Sequence, residues 1–369
     1  MFAQGENIVR IFDTYVPPHL AVEGDRIGLQ VGTLKKEVKK VMLALDVTME
    51  VVEEAIRNHI DLIIAHHAVI FRPLKTLSID SRNGRVYEKL IKHDIAVYVA
   101  HTNWDVAPDG VNDVLAARLS LQQTRVLSPV YLQPLKKLVV FVPETHHEEV
   151  LQALGAAGAG WIGKYSHCTF NVPGTGTFQP EEGAEPFIGS TSRLERVAEI
   201  RLETVVTAEN ERAVVAAMLA AHPYEEVAYD LYPLELKGKT FGLGRIGRLE
   251  KAETLKDFSA RVKEAYGLEA LRVVGNPTRT VRRVALLGGM GTKYLADAVR
   301  ERADVYITGD IDYHTAHDAL AEGIALIDPG HHVEHLVLAP MRDRLAEALA
   351  KTDTVVSLSK IDTNPFRYV

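Results

Sequence analysis

The first third of the chain alternates short apolar runs with amphipathic stretches. Continuous apolar runs, typical of buried strands, cover residues 41–45, 62–65 and 95–100. Helical spacing of apolar residues follows the first run over residues 49–58, and Thr48 can cap that helix. Strand followed by helix, repeated along residues 1–127, predicts an α/β lobe with a mainly parallel sheet.

The pattern changes between residues 128 and 235. A stretch rich in Gly, Pro, Ser and Thr, residues 155–192, contains Gly174 and Gly176 and suggests a hairpin or a long loop. Strand–helix–strand followed by strand–helix–strand is the ferredoxin-like order, so we predict an α+β insert. The predicted strands are 136–142, 199–206 and 227–232, and the predicted helices are 148–154 and 210–221.

Residues 236–369 return to the α/β pattern and form the third predicted part. Strand-like runs alternate again with helical spacing, so the outer two parts are expected to be similar lobes with mainly parallel sheets. We find no clear residue-level repeat between them. The predicted strands are 281–287, 305–308 and 324–327, and the predicted helices are 255–266, 293–302, 313–322 and 333–350.

Composition narrows the chemistry that the chain can use. It has 369 residues, 15 of them histidine and only one, Cys168, cysteine. A single cysteine can form neither an internal disulfide nor a cysteine-based zinc site. Any metal must therefore be held by histidines and carboxylates.

Net charge and hydropathy restrict the classes of partner that we expect for the chain. The net charge of −7 argues against nucleic acid backbone as the main partner. No stretch reaches the roughly 18 apolar residues of a membrane helix, and the N-terminus lacks the apolar core of a signal peptide. We expect a cytoplasmic protein with no membrane partner.

Potential metal ligands follow three of the predicted strands. His66 and His67 follow residues 62–65, His101 and Asp105 follow residues 95–100, and a third cluster follows residues 324–327. That third cluster contains His331 and Glu334, three residues apart at a predicted helix start and hence on one face, where the glutamate could bridge two metals. Imidazole and carboxylate ligands suit Zn, Fe, Mn, Co or Ni.

Each of these histidines also has a simpler interpretation. A histidine at a strand end is commonly a hydrogen-bonded loop residue, and His314 on a predicted helix can be an ordinary helix-face residue. The spacing alone leaves metal ligation and structural histidines as open alternatives. Three clusters at three strand ends favour ligation.

Six segments together resemble the Nif-three-like proteins, also called GTP cyclohydrolase type 2 homologs. The segment 221–230 is similar to the PII-like or CutA-like insert of the longer members. The six matching segments are Asp25-Arg-Ile-Gly-Leu-Gln-Val-Gly32, Ala65-His-His67, Ala100-His-Thr-Asn-Trp-Asp105, Tyr306-Ile-Thr-Gly-Asp310, Asp328-Pro-Gly-His-His-Val-Glu334 and Asn364-Pro-Phe-Arg-Tyr-Val369.

The resemblance implies a fold and a metal site. It implies two α/β lobes that form one metal-binding unit, with the site between them, and a toroidal homohexamer. It also implies two divalent ions per chain, with Glu334 as the bridging ligand. In many members that glutamate follows the histidine by four residues instead of three, and both spacings keep one helical face. The implied ligands are His66, His67, Asp105, His331 and Glu334.

Two functions remain as hypotheses. The first is a metal-dependent hydrolase in which an activated water attacks a purine nucleotide such as GTP, with His101 or His314 moving a proton. In that hypothesis the turn at residues 288–291 could accept phosphate through its backbone N–H groups. The second is a regulatory or scaffold toroid with structural metals and a ligand-sensing insert.

Overall fold

A computed structural model describes every residue of the chain except Lys237. The chain forms two compact units. The first contains Met1–Tyr131 and Phe241–Val369, and the second is Leu132–Thr240. The predicted outer parts, 1–127 and 236–369, thus contribute to one unit, and the predicted insert, 128–235, overlaps the other.

Helices and strands alternate along most of the chain. The α-helices are α1 (Gly5–Tyr15), α2 (Met49–Arg57), α3 (Arg82–Lys92), α4 (Thr102–Val106), α5 (Val111–Arg118), α6 (His147–Ala156), α7 (Glu211–Ala221), α8 (Leu255–Ala265), α9 (Leu295–Arg300), α10 (Tyr313–Ala321) and α11 (Leu338–Ala348). The strands are β1 (Ala3–Gln4), β2 (Gly28–Val31), β3 (Glu37–Val38), β4 (Lys40–Ala44), β5 (Leu62–Ala65), β6 (Ala96–Val99), β7 (Gln122–Pro143), β8 (Thr169–Phe178), β9 (Glu195–Thr207), β10 (Tyr229–Thr254), β11 (Arg272–Val274), β12 (Thr280–Met290), β13 (Val305–Gly309), β14 (Ala325–Asp328) and β15 (Val355–Leu358).

One sheet of the first unit has the order β15-β4-β5-β6-β2. The pairs β15–β4, β4–β5 and β5–β6 are parallel, and β2 adds to β6 antiparallel. Strands β4, β5 and β6 match the predicted runs at 41–45, 62–65 and 95–100. The edge strand β15 comes from the end of the chain, so sequence order could not place it beside β4.

The other sheet of the first unit has the order β11-β14-β13-β12-β10. Strands β12, β13 and β14 are parallel, but β10 pairs antiparallel with β12, and β11 pairs antiparallel with β14. This sheet is mixed, so the prediction of a mainly parallel sheet is wrong here. Between β10 and β12 the chain passes through α8 and β11. The alternation of strands and helices in the sequence does not show whether such a connection joins parallel or antiparallel strands.

The first unit is held by a core that both sheets share. The largest fully buried side chains include Trp104, Tyr306, Phe12 and Phe258. The rings of Phe12 and Trp104 meet edge to face, with centroids 5.4 Å apart. Burying rings of this size contributes much of the stability of a domain. Trp104 is the chain neighbour of the candidate ligand Asp105, so core packing fixes that part of the site.

The segment that follows β14 differs from its predicted helix. Residues 333–350 are predicted to form one helix, but His331–Val337 is a 3₁₀ helix and α11 begins only at Leu338. A 3₁₀ helix has three residues per turn, so side chains three positions apart are eclipsed. This conformation places His331 directly in line with Glu334.

The second unit has the element order β7-α6-β8-β9-α7-β10. Its sheet has the order β10-β7-β9-β8, and β7–β9 and β8–β9 pair antiparallel. The stretch rich in glycine forms β8, one arm of a hairpin with β9. Its core consists mainly of aliphatic side chains from β7, β9 and the two helices, among them Leu138, Val140, Leu202, Val214 and Met218.

Within the described part of the chain, no helix combines the length and the hydropathy that crossing a bilayer requires.

Within the first unit, Thr354 forms hydrogen bonds that join the last part of the chain to its first part. Its hydroxyl accepts a hydrogen bond from the Ala3 N–H at 2.9 Å and donates one to the Val38 carbonyl at 2.8 Å, both buried. We predict that Thr354→Val lowers the free energy of unfolding by about 1–3 kcal/mol, because both backbone groups lose their partner. Chemical denaturation measures this, with Thr278→Val at an exposed position as the control. Equal unfolding midpoints for the two variants would contradict the assignment.

Candidate metal centre

Three strand ends bring the candidate ligands together in the first unit. His66 and His67 directly follow β5, and Asp105 lies on α4 just after β6. His331 and Glu334 lie on the 3₁₀ helix after β14. Strand ends of two sheets therefore supply the site, because the core packs α4 and the 3₁₀ helix against the same region.

The ligand atoms of six side chains form three overlapping groups. Within each group these atoms lie within 4.8 Å of one another, the spacing that a metal ion requires. Three residues, His66, His67 and Glu334, each belong to two groups, and Glu334 is the carboxylate among them. The groups are His66 with Asp105 and Glu334, His67 with His331 and Glu334, and His66 with His67 and His101.

His66 shows how the rings are oriented. Its Nδ1 lies 3.1 Å from the Ala100 carbonyl oxygen. A carbonyl oxygen can only accept, so Nδ1 carries the proton and Nε2 keeps its lone pair. This arrangement is typical of metal-binding histidines, whose second nitrogen donates to a carbonyl or a carboxylate.

The same arrangement holds His67 and His331. Their Nδ1 atoms lie 2.7 Å from Asp46 Oδ1 and 2.6 Å from Asp310 Oδ2. Their Nε2 atoms lie 3.3 Å apart and are 3.1 Å and 3.2 Å from Glu334 Oε2. Two imidazole nitrogens thus converge on one carboxylate oxygen.

His101 completes the set of oriented rings. Its Nδ1 lies 2.9 Å from Asp25 Oδ1, and Asp25 Oδ2 accepts a 2.9 Å hydrogen bond from the Thr102 N–H. Burial would raise the pKa of Asp25, but the hydrogen bonds from His101 and Thr102 hold it well below its usual value. The Nε2 of His101 is left near the rings of His66 and His67.

The centre of the site contains polar atoms without partners. His66 Nε2 and Asp105 Oδ1 are buried, 3.8 Å apart, and form no hydrogen bond with any described residue. Glu334 Oε2 lies 3.5 Å from the same nitrogen. A lone pair facing two carboxylates in the interior is unfavourable by several kcal/mol, on the order of the cost of burying unpaired polar groups. A divalent cation among these atoms satisfies all of them, so the residues fit a metal.

The pKa values of the two buried carboxyls, Asp105 and Glu334, are shifted in opposite directions. Burial and the neighbouring Glu334 carboxylate raise the pKa of Asp105 well above its usual value. Burial would also raise the pKa of Glu334, but the surrounding histidines hold it well below its usual value. Burial would lower the pKa of His67, but hydrogen bonds to Asp46 and Glu334 raise it to about 10.

Gly289 gives the backbone its close approach to the site. Its φ is +62°, and a Cβ at this position would clash with Glu334 Oε1. The neighbouring Gly288 N–H donates to Asn112 Oδ1 at 3.0 Å, and Asn112 Nδ2 donates to the Asp105 carbonyl at 2.9 Å. The buried Asn112 therefore links this turn to the segment that carries Asp105.

The turn at 288–291 does not suit the phosphate-binding role expected of it. Two of its N–H groups are already engaged, that of Gly288 by Asn112 and that of Gly291 by Thr308 Oγ1 at 2.8 Å. Gly289 lies against the Glu334 carboxylate, which repels an anion. These contacts argue against phosphate binding at the turn, which makes room for Glu334.

His314 lies apart from the cluster. It is exposed on α10, its N–H donates to Asp312 Oδ1 at 2.9 Å, and its ring packs against Tyr313. Its ring belongs to none of the ligand groups formed by the described residues. The structure brings His101 into the cluster and leaves His314 outside it.

Four site residues were missed as functional residues by the sequence interpretation. Asp46 and Asp310 each follow a parallel strand, β4 and β13, so their position at strand ends was the available signal. Asp25 and Asp310 also lie in segments that carried the family resemblance. Nothing in the sequence indicated Asn112, because its role depends on contacts 176 residues apart along the chain.

A cavity of about 620 Å³ adjoins His67. Its lining includes the side chains of Arg72, Lys75 and Arg82, and none of these three forms an ion pair with another described residue. Phe71, 64% exposed, is at its rim. A cavity lined by three basic side chains thus opens beside one candidate ligand.

The chain is similar to known proteins over its whole length. A family model described as Duf34/NIF3 (NGG1p interacting factor 3) matches residues 3–365. Relatives from Halalkalibacterium halodurans and Bacillus subtilis are each 50% identical, and both are named "GTP cyclohydrolase 1 type 2 homolog". The alignments cover 100% and 99% of this chain and 99% and 98% of those proteins.

A solved structure supports the same relationship. The Bacillus cereus protein related to NIF3 is 51% identical, with a TM-score of 0.96 and coverage of 100% of both chains. The reduced HcgD protein of Methanocaldococcus jannaschii, 20% identical with a TM-score of 0.58, shares the fold over 97% of this chain and 98% of its own. The chain therefore belongs to the DUF34/NIF3 family.

Proposed function

We propose that the chain binds two divalent metal ions and is a metal-dependent hydrolase that acts on a phosphate-bearing purine nucleotide. The observation that carries the proposal is the pair of buried, unpartnered atoms, His66 Nε2 and Asp105 Oδ1, at the centre of the histidine cluster. The name of the relatives, "GTP cyclohydrolase 1 type 2 homolog", supports the choice of a purine nucleotide.

Glu334 is the proposed bridging ligand. Glu334 is the one carboxylate that belongs to two ligand groups, and a carboxylate has two oxygens, whereas the shared His66 and His67 each offer one free nitrogen. One ion would then be held by His66 and Asp105 and the other by His67 and His331, with Glu334 contributing to both. Nitrogen and oxygen donors suit Zn, Fe, Mn, Co or Ni. Two ions held in this way would supply an activated water and polarise the bond to be cleaved.

The protein's own part is to orient the ligands before any metal arrives. Hydrogen bonds from the Nδ1 atoms to Asp46, Asp310 and the Ala100 carbonyl fix the direction of the Nε2 lone pairs. Preorganised ligands lose little entropy on binding, and removing such supporting partners costs about 10- to 100-fold in metal affinity. His101, oriented by Asp25, remains the predicted proton-transfer residue because, of the four clustered histidines, it is the one that shares no ligand group with Glu334.

The substrate's phosphates are proposed to bind in the cavity beside His67. Arg72, Lys75 and Arg82 line this cavity, and among the described residues only Arg82 interacts electrostatically with a carboxylate, that of the exposed Glu50. Three cations at one cavity favour an anionic ligand. The exposed Phe71 offers a face on which a base could stack.

The second unit supports a further role. We propose that Leu132–Thr240 is a ferredoxin-like, PII-like insert that regulates the chain, since its order β7-α6-β8-β9-α7-β10 is that of the ferredoxin-like motif. The two sheets of the first unit would then be the two lobes of the family. A homohexameric toroid is proposed from the family resemblance, and light scattering on the purified protein tests it.

Glu334→Gln tests the hydrolase. A neutral amide cannot bridge two cations, so we expect loss of bound metal and a fall in GTP turnover of about 100-fold or more. Metal content and purine absorbance are measured together, with Glu347→Gln, exposed on α11, as the control. The proposal fails if wild-type protein loaded with two ions hydrolyses neither GTP nor a simple phosphoester.

Gly289→Ala tests the geometry of the site. The added methyl group would push Glu334 away, so metal affinity should fall about tenfold or more even though every ligand is present. Gly323→Ala is the matched control, since its φ is +71° and a Cβ added there would meet nothing within 4 Å. Equal metal affinity in the two variants would show that the backbone at residue 289 does not shape the site.

Arg72→Ala and Lys75→Ala test the phosphate cavity. Each removes one charge-assisted contact, so KM for a nucleotide should rise about tenfold while metal content stays unchanged. Lys351→Ala, an exposed cation far along the chain, serves as the control. An unchanged KM in both variants would place the phosphates elsewhere.

A further inference from the structure

The second unit contains a cavity of its own, about 670 Å³ in volume. It lies along β8 and β9 and is closed on one side by the loop between them. Aromatic side chains form much of its wall, and four of its lining residues are glutamates. The lining residues that carry the argument are Phe141, Phe178, Phe187, Glu199, Arg201 and Tyr224.

Tyr224 is the centre of the aromatic wall. Its ring centroid is 5.8 Å from that of Phe178 and 6.4 Å from that of Phe187. Phe187 is 52% exposed, a large apolar side chain left at the mouth of a cavity. Aromatic faces around a concave site are the usual means of holding an apolar or cationic ligand.

Glu199 provides a charge in this wall. Its side chain is buried, at 8% exposure, and its Oε1 accepts a 2.9 Å hydrogen bond from the Tyr224 hydroxyl. It forms no ion pair with any described residue, and its other oxygen lies against Gly176, where a Cβ would clash with it. The titratable base near it is His222, whose ring packs on Tyr224 and whose pKa is lowered by burial, so it is no permanent cation. A buried carboxylate without a permanent cationic partner is costly, and a positively charged ligand would offset that cost.

The remaining charges of the cavity have the same sign. Glu181, Glu225 and Glu226 also line it. The one basic lining residue, Arg201, is paired with Glu203 at 2.9 Å and lies over the ring of Phe141. An anionic ligand would therefore meet uncompensated negative charge.

A bare metal ion does not suit this wall either. A metal needs several ligand atoms close together, and the groups of that kind found among the described residues all lie in the first unit. Aromatic rings offer a metal ion no such ligands, whereas they attract an ammonium group over their faces.

We propose that the cavity binds an organic cation, an ammonium group on an apolar or aromatic body. The ammonium group would lie beside Glu199, and the apolar body would contact Phe178 and Phe187. This site belongs to the second unit alone, so it does not depend on the proposed hydrolysis in the first unit.

Calorimetric titration of the full chain with phenethylamine tests the proposal. We expect saturable binding of the amine, with phenethyl alcohol, its neutral analogue, about tenfold weaker or worse because it cannot pair with Glu199. 3-Phenylpropionate should not bind, because its charge is that of the wall. The proposal is overturned if the amine does not bind or if the alcohol binds equally well.

Two variants locate the binding. Glu199→Gln should weaken the amine about tenfold and leave the alcohol unchanged. Phe187→Ala, at a half-exposed position, should weaken the binding of both ligands about three- to tenfold. Glu148→Gln, exposed on α6, is the control. Amine affinity that is unchanged in both folded variants would place the binding outside this cavity and contradict the proposal.

Discussion

Hydrogen bonds at the Nδ1 atoms of four histidines determine the arrangement of the first unit's site. The Nδ1 atom of each ring is hydrogen-bonded to one oxygen. The oxygens belong, for His66, His67, His331 and His101 in turn, to the Ala100 carbonyl and to the side chains of Asp46, Asp310 and Asp25. The Nε2 atoms of His66, His67 and His331 are thereby directed towards the buried carboxylates of Asp105 and Glu334. Such a concentration of acceptors is stable only with cations or protons among them. The shape of the core, the glycine at 289 and the eclipsed 3₁₀ turn all serve to keep these groups in place.

Much of this site could be predicted from the sequence because its ligands follow apolar runs. Those runs are strands, and in α/β sheets the side chains after the strands meet at a common crevice. His66, His67 and His101 follow neighbouring strands of one sheet, so their proximity follows from local pattern. His331 and Glu334 belong to a different sheet. Their arrival at the same place depends on long-range packing, and only the family resemblance anticipated it.

What the sequence could not predict depends on contacts between distant parts of the chain. Strand β15 joins the first sheet, and β10 and β11 run antiparallel in the second, although apolar pattern says nothing about direction. The last helix begins later than expected because His331–Val337 adopts the tighter 3₁₀ turn. The glycines at 174 and 176 were expected in a hairpin or loop, and Gly176 proves to be the place where β8 admits the Glu199 carboxylate.

The central claim is that the histidine cluster is a two-metal site. Anomalous diffraction from crystals of the protein purified without chelators, together with elemental analysis of the same sample, tests it most directly. We expect two ions per chain, one contacting His66, Asp105 and Glu334 and the other contacting His67, His331 and Glu334. A single ion, or density at these residues that shows no anomalous signal after incubation with Zn, Mn, Fe, Co and Ni in turn, would contradict it.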